Sequence, residues 1–234
     1  MIHMERLHNG FTLELCPGTF PLSTDSMVLS GFVRLPKDAR VLDLGAGCGT
    51  LGLLLCASRD DCTVTGVEID PEAHQMAQHN AQANKITTRL QSICADLRTI
   101  PDFIAPGSFS CCVSNPPYFS AGPESKSHPV ARREDLCSPE DLFRAAGWAL
   151  KYGGDFFLIH RPERLGQLCA CAAKENMEAK RLWLVRHQEG GDITLIALQF
   201  RKGGKPGLKI EERCLYNRDG SPSDFYTALY HISK

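Results

Sequence analysis

Arg40-Val41-Leu42-Asp43-Leu44-Gly45-Ala46-Gly47-Cys48-Gly49-Thr50-Leu51-Gly52-Leu53-Leu54-Leu55-Cys56-Ala57 is the stretch that decides the architecture. A short apolar run ends in a glycine-rich turn and an apolar helical segment follows at once, so residues 40 to 57 read as one strand-loop-helix unit. Residues 63 to 68 read as the next strand. Asp70-Pro71 then opens a helix, with Asp at the N-cap and Pro at the first helical position. Ala73, Met76, Ala77 and Ala81 recur at helical spacing and give that helix one apolar face, which Asn84 can end. Further strands are expected near 88–93, 109–114, 154–160, 181–187 and 193–200, with helices near 139–151 and 162–175. Strands that alternate with helices imply parallel pairing through right-handed crossovers, hence a doubly wound α/β sheet of seven strands with helices on both faces. The last two strands are joined through Gly190-Gly191 with no room for a helix, so they should form a hairpin and put an antiparallel strand at the C-terminal side of the sheet. Residues 201 to 209, with Lys202, Lys205 and Lys209 among Gly and Pro, read as a mobile basic loop.

Composition bounds what such a fold can do. The chain has 234 residues, 43% hydrophobic and 23% charged, as an ordinary globular domain does. Its longest apolar stretches, such as residues 51 to 57, are far too short to span a bilayer. Residues 1 to 6 lack the basic and apolar segments of a secretory signal, so a cytoplasmic location is expected. Eleven cysteines contain no C-x-x-C pair and the eight histidines no H-E-x-x-H, so reduced thiols are expected and no metal site. The net charge of −1 gives no long basic track for nucleic acid. Residues 1 to 119 carry 8 basic against 12 acidic residues and residues 120 to 234 carry 18 against 15, a split that permits a compact, local nucleic-acid contact.

Gly45, Gly47 and Gly49 sit where a first strand turns into a first helix, a place where backbone approaches a ligand closely and helix N–H groups point at it. The dinucleotide fingerprint G-x-G-x-x-G needs glycine at 50, where Thr50 stands, so a diphosphate is disfavoured. Glu68 ends the second strand 25 residues after Asp43, where a carboxylate can accept hydrogen bonds from both hydroxyls of a ribose; the bland reading is a solvated strand end. After the fourth strand comes Ser114-Asn115-Pro116-Pro117-Tyr118. Two prolines remove two N–H donors and fix two φ angles, leaving a rigid cluster of acceptors. The Asn115 side-chain oxygen and the Pro116 carbonyl can each accept a hydrogen from an NH₂ group, and Tyr118 can stack on a flat ring.

The G-x-G-x-G loop with an acid two residues ahead resembles motif I of class I S-adenosylmethionine-dependent methyltransferases. Their cofactor brings a sulfonium and an ammonium cation, which suits Asp43. That resemblance implies a Rossmann-like sheet, assigns Gly45, Gly47, Gly49 and Glu68 to the cofactor, and gives Asp96 its adenine amino group. Asn115 to Tyr118 resembles the catalytic loop of amino-methyltransferases that modify N6 of adenine, N4 of cytosine or the amide of glutamine. Across Leu22 to Leu29, motif I, this loop and Ala131-Arg132-Arg133-Glu134, the chain is similar to the bacterial tRNA adenine-N6 methyltransferase family that acts at position 37 of a valine tRNA. The similarity implies that Thr24 and Asp25 lie beside cofactor and target base; Phe119 joins Tyr118 as a candidate substrate contact, and Arg132 and Arg133 are candidate phosphate ligands whose bland reading is solvated loop charges. Members of that family often carry Gly or Ala where Ser26 stands. The expected organisation is a single domain over 1–234: a segment over 1–38 covering the site, a core over 39–200 and an extension over 201–234. Alternatives are glutamine methylation on a release factor, against which the short segment before motif I argues, DNA adenine methylation, for which a target-recognition domain has no room, and a binding module that kept the cofactor pocket.

Overall fold

The structure is a computed structural model that describes residues 3–7, 10–15, 22–116 and 137–230. β1 (His3–Arg6) and β2 (Thr12–Leu15) form a small antiparallel hairpin, and α1 (Thr24–Phe32) follows. The core then alternates β3 (Ala39–Leu44), α2 (Thr50–Ser58), β4 (Cys62–Glu68), α3 (Pro71–Ala83) and β5 (Leu90–Cys94). It continues through a 3₁₀ segment (Leu97–Asp102), β6 (Phe109–Ser114), α4 (Pro139–Ala149), β7 (Leu150–His160) and α5 (Leu165–Lys174). β8 (Met177–Gln188), β9 (Ile193–Lys202), β10 (Lys209–Tyr216) and α6 (Asp224–Leu229) complete it.

All seven expected strands are present. They lie in one sheet of order β10-β8-β9-β7-β6-β3-β4-β5, in which β9 is antiparallel to both of its neighbours, as the Gly190-Gly191 turn implied. Successive side chains alternate between the two faces. On β3, Val41 joins one core with α1, α2 and α6, while Leu42 and Leu44 join the other with α4 and α5. On β7 Phe157 and Ile159 take the first face, Phe156 and Leu158 the second. Burial on both faces is why these strands read as unbroken apolar runs. In the second core Phe143 packs edge-on against Phe156 and Phe200 with ring centroids 5.2 Å apart in each case.

Local grammar sets the helix starts. Asp70 caps α3 through Glu72 N–H, with Pro71 in the first turn, and Asn84 ends the helix. Ser138 and Asp141 make a capping box on α4, again followed by proline.

Of residues 201 to 209, expected as one basic loop, 203–208 do connect two strands without regular structure, but both ends belong to strands. β9 runs to Lys202, whose ammonium donates to the carbonyls of Gly147 and Leu150 at 2.6 and 2.9 Å, capping the end of α4. Lys209 begins β10, an eighth strand parallel to β8 at the sheet edge. Edge strands tolerate charge on exposed faces, so Lys209-Ile210-Glu211-Glu212-Arg213 has no apolar run to betray it. Among the described residues no helix is long and apolar enough to cross a membrane, no His, Cys, Asp or Glu cluster could hold a metal ion, and the ten described cysteines are free thiols.

Candidate active site

The sheet reverses its winding between β3 and β6, and ligands of doubly wound folds bind outside the carboxyl ends of the strands at such a point. Register brings the expected residues there. Asp43 pairs with Gly66 on one side and Val113 on the other, so Gly45, Glu68 and Asn115 each lie two residues further along adjacent chains. The Ser114 hydroxyl donates to the Leu44 carbonyl at 2.7 Å and ties the two strand ends together.

Gly45, Gly47 and Gly49 all have positive φ (74°, 53° and 81°), a region where L side chains are strained, which explains three glycines in five residues. The amides of Gly45 and Ala46 both donate to the Val67 carbonyl, and Gly47 N–H donates to Glu68 Oε2 at 2.7 Å. Glu68 Oε1 accepts from Asp70 N–H at 2.9 Å. Its carboxylate thus shapes the glycine loop, and with about four lone-pair sites on two oxygens it keeps capacity for two more donors such as ribose hydroxyls.

Asp43 is 1% exposed and its Oδ1 has no hydrogen-bond partner among the described residues. Burial, reinforced by the Glu68 charge, pushes its carboxyl up to about 7. A buried acceptor without a donor is what a cationic ligand would satisfy. Asp96 is more committed. It caps the 3₁₀ segment through Arg98 N–H and holds the Arg98 guanidinium at 2.6 to 3.0 Å, which keeps its carboxyl below the usual range.

Asn115 and Pro116 follow β6 directly. The Asn115 amide NH₂ donates to Ser26 Oγ at 3.0 Å, across 89 residues of sequence. Ser26 is 5% exposed in the first turn of α1, next to Asp25, and its Oγ lies 3.2 Å from that of Ser23, the N-cap of α1. Pro117, Tyr118, Phe119, Arg132 and Arg133 lie outside the described residues.

Three contributors were not singled out from sequence. His160, at the end of β7, lines a cavity with Gly45, Ser114, Pro116 and Ser138. Its Nδ1 accepts from Arg161 N–H at 2.8 Å, and burial with the nearby Arg164 charge pushes its imidazole down to about 4. The ring is therefore neutral with its proton on Nε2; a histidine closing an apolar strand was the available signal. Asn80, fully buried, donates to the Cys48 carbonyl of the glycine loop and pairs both ways with the backbone of Glu14, while Asn84 does the same with Thr12. Two asparagines one turn apart on α3 thereby dock the N-terminal hairpin against the loop. Asn80 interrupts the alanine face of α3, and that interruption was the signal. Ser26 is the third.

A sequence profile described as "Methyltransferase small domain" matches residues 24–168, which include α1, the glycine loop, Glu68 and Asn115. The chain belongs to the methyltransferase small domain family. Its cofactor is S-adenosylmethionine, and the unpaired buried Asp43 oxygen and the glycine cradle fit a ligand bearing a sulfonium and an ammonium. Among curated relatives, the tRNA1(Val) (adenine(37)-N6)-methyltransferase of Vibrio parahaemolyticus is 35% identical over 225 residues, covering 94% of this methyltransferase and 91% of the relative. The same-named protein of Shewanella halifaxensis is 32% identical over 172 residues, covering 73% and 70%. A "predicted O-methyltransferase" from Agrobacterium tumefaciens shares the fold with a TM-score of 0.73 at 20% identity, over 89% of this chain and 96% of that one.

Proposed function

We propose that this methyltransferase moves the S-adenosylmethionine methyl group to N6 of an adenine in a tRNA anticodon loop. The names of its curated relatives support adenine 37 of a valine tRNA as the target. The observation that carries the reading is the Asn115 amide at the carboxyl edge of the sheet, its NH₂ held by Ser26 and its chain neighbour Pro116 unable to donate. An exocyclic adenine nitrogen is a poor nucleophile because its lone pair is conjugated with the ring. With its hydrogens accepted by Asn115 Oδ1 and the Pro116 carbonyl, the nitrogen can pyramidalise and bear the positive charge that grows as it attacks. S-adenosylmethionine supplies the electrophilic methyl. Asp43 and the glycine loop hold that cofactor, Glu68 takes its ribose, Asp96 its adenine and Asp25 lies beside it. No strong base is needed, since the methylated ammonium nitrogen is acidic enough to lose its proton to water.

In this reading Tyr118 and Phe119 stack on the flipped base and Arg132 and Arg133 meet the RNA backbone. Residues 1–38 cover the site, a role supported by the α1 contact to Asn115, with 39–200 as the core and 201–234 as an extension of one domain; the enzyme works in the cytoplasm. Incubation with methyl-labelled S-adenosylmethionine and bulk bacterial tRNA tests it. The expected product is N6-methyladenosine in tRNA, absent with Asn115→Ala. Label in no tRNA overturns the proposal, and label in protein instead would favour glutamine methylation.

A further inference from the structure

We propose that Ser26 is a positioning residue that fixes which end of the Asn115 amide faces the target nitrogen; this rests on the function proposed above. An asparagine amide has one accepting and one donating end, of nearly equal size. Only the accepting end helps an NH₂ nucleophile, and the reverse orientation would set two N–H donors against two more. Nothing in the Asn-Pro-Pro sequence chooses between them.

The choice is made from α1. Ser26 Oγ accepts from Asn115 Nδ2 at 3.0 Å, so the amide nitrogen is turned toward the helix and Oδ1 away from it. A hydroxyl can also donate, and the partner for the Ser26 proton is Ser23, whose Oγ stands 3.2 Å away and accepts Ser26 N–H as the helix N-cap. With Ser26 donating to Ser23, the chain runs Asn115 N–H to Ser26 O–H to Ser23 and every link is polarised in one direction. Ser26 is buried, so water cannot take over its part. Glycine or alanine at this position has no hydroxyl to do so, and this serine is therefore a feature of this chain's own wiring.

The test compares wild type, Ser26→Ala and Ser26→Thr in tRNA methylation, with cofactor affinity and thermal melting measured on each. Ser26→Ala should lower kcat roughly tenfold, the worth of one hydrogen bond of about 1.4 kcal/mol. KM for tRNA and Kd for S-adenosylmethionine should stay within twofold of wild type, and the melting temperature should fall by no more than the roughly 3–6 °C that one lost hydrogen bond of this size costs. Ser26→Thr, which restores a hydroxyl, should recover most of the rate. Unchanged kcat in Ser26→Ala overturns the inference, as does a rate loss matched by a weaker cofactor Kd or not recovered by threonine. A wild-type chain that methylates no tRNA would instead strike at the function and leave the orientation of Asn115 to be read on the substrate that it does methylate.

Discussion

Replacing Asp43 by asparagine should stabilise the cofactor-free protein while weakening its hold on S-adenosylmethionine. Asp43 is fully enclosed, its Oδ1 has no donor among the described residues, and its carboxyl is raised from 3.8 to about 7 by burial and then by Glu68. The folded state thus prefers the protonated acid. Stability from this group is fully present below the unfolded value near 3.8 and is lost as pH rises to about 7, beyond which the loss is constant. At about 1.4 kcal/mol per pH unit the gap amounts to about 4 kcal/mol. The amide of the variant has no charge to bury and escapes that loss. Denaturant unfolding without cofactor at pH 4, 6 and 8 should show the stability of Asp43→Asn relative to wild type growing by about 4 kcal/mol across the series. With cofactor the order reverses, because a bound cation favours the carboxylate: wild-type affinity should rise toward tenfold per pH unit up to about pH 7 and then level, while the variant binds weakly at every pH. Calorimetry in buffers of different ionisation enthalpy should detect a proton released on binding at pH 6. A stability difference that stays flat from pH 4 to pH 8, or a wild-type affinity without pH dependence, would refute the reasoning.

Glu68→Gln replaces one accepting oxygen by an NH₂ that cannot receive Gly47 or Asp70 N–H, so S-adenosylmethionine Kd should rise about 10- to 100-fold, as a lost charge-assisted bond of about 1.5–3 kcal/mol requires; titration calorimetry reads it. A Cβ at Gly66 would stand 2.7 Å from the Ala46 Cβ, so Gly66→Ala should cost about 1–3 kcal/mol of stability in denaturant unfolding and disturb the loop above it. Lys202→Met leaves the Gly147 and Leu150 carbonyls without their donor and should cost about 1–3 kcal/mol in the same assay, with tRNA affinity unchanged, whereas a basic-loop role would show the opposite. Phe143→Ala should cost about 3–5 kcal/mol by emptying the space between Phe156 and Phe200.

The amino-acid order alone determined the seven strands, the hairpin, the start of α3 and the glycine turn, because each depends on residues a few positions apart: alternation along a strand, a cap and its proline, a φ that only glycine adopts easily. Asn115 could be picked out for the same reason, since its prolines act on their immediate neighbours. Only the tertiary structure decided what those residues touch. It turned Lys202 onto a helix end, made a strand of a charged stretch by giving it the free edge of β8, and set Asn80 between a hairpin 66 residues away and the glycine loop. Above all it brought Ser26 within 3.0 Å of Asn115. A hydrogen bond across 89 residues leaves no local trace, because its free energy is realised only after the sheet has closed and the strand ends lie side by side.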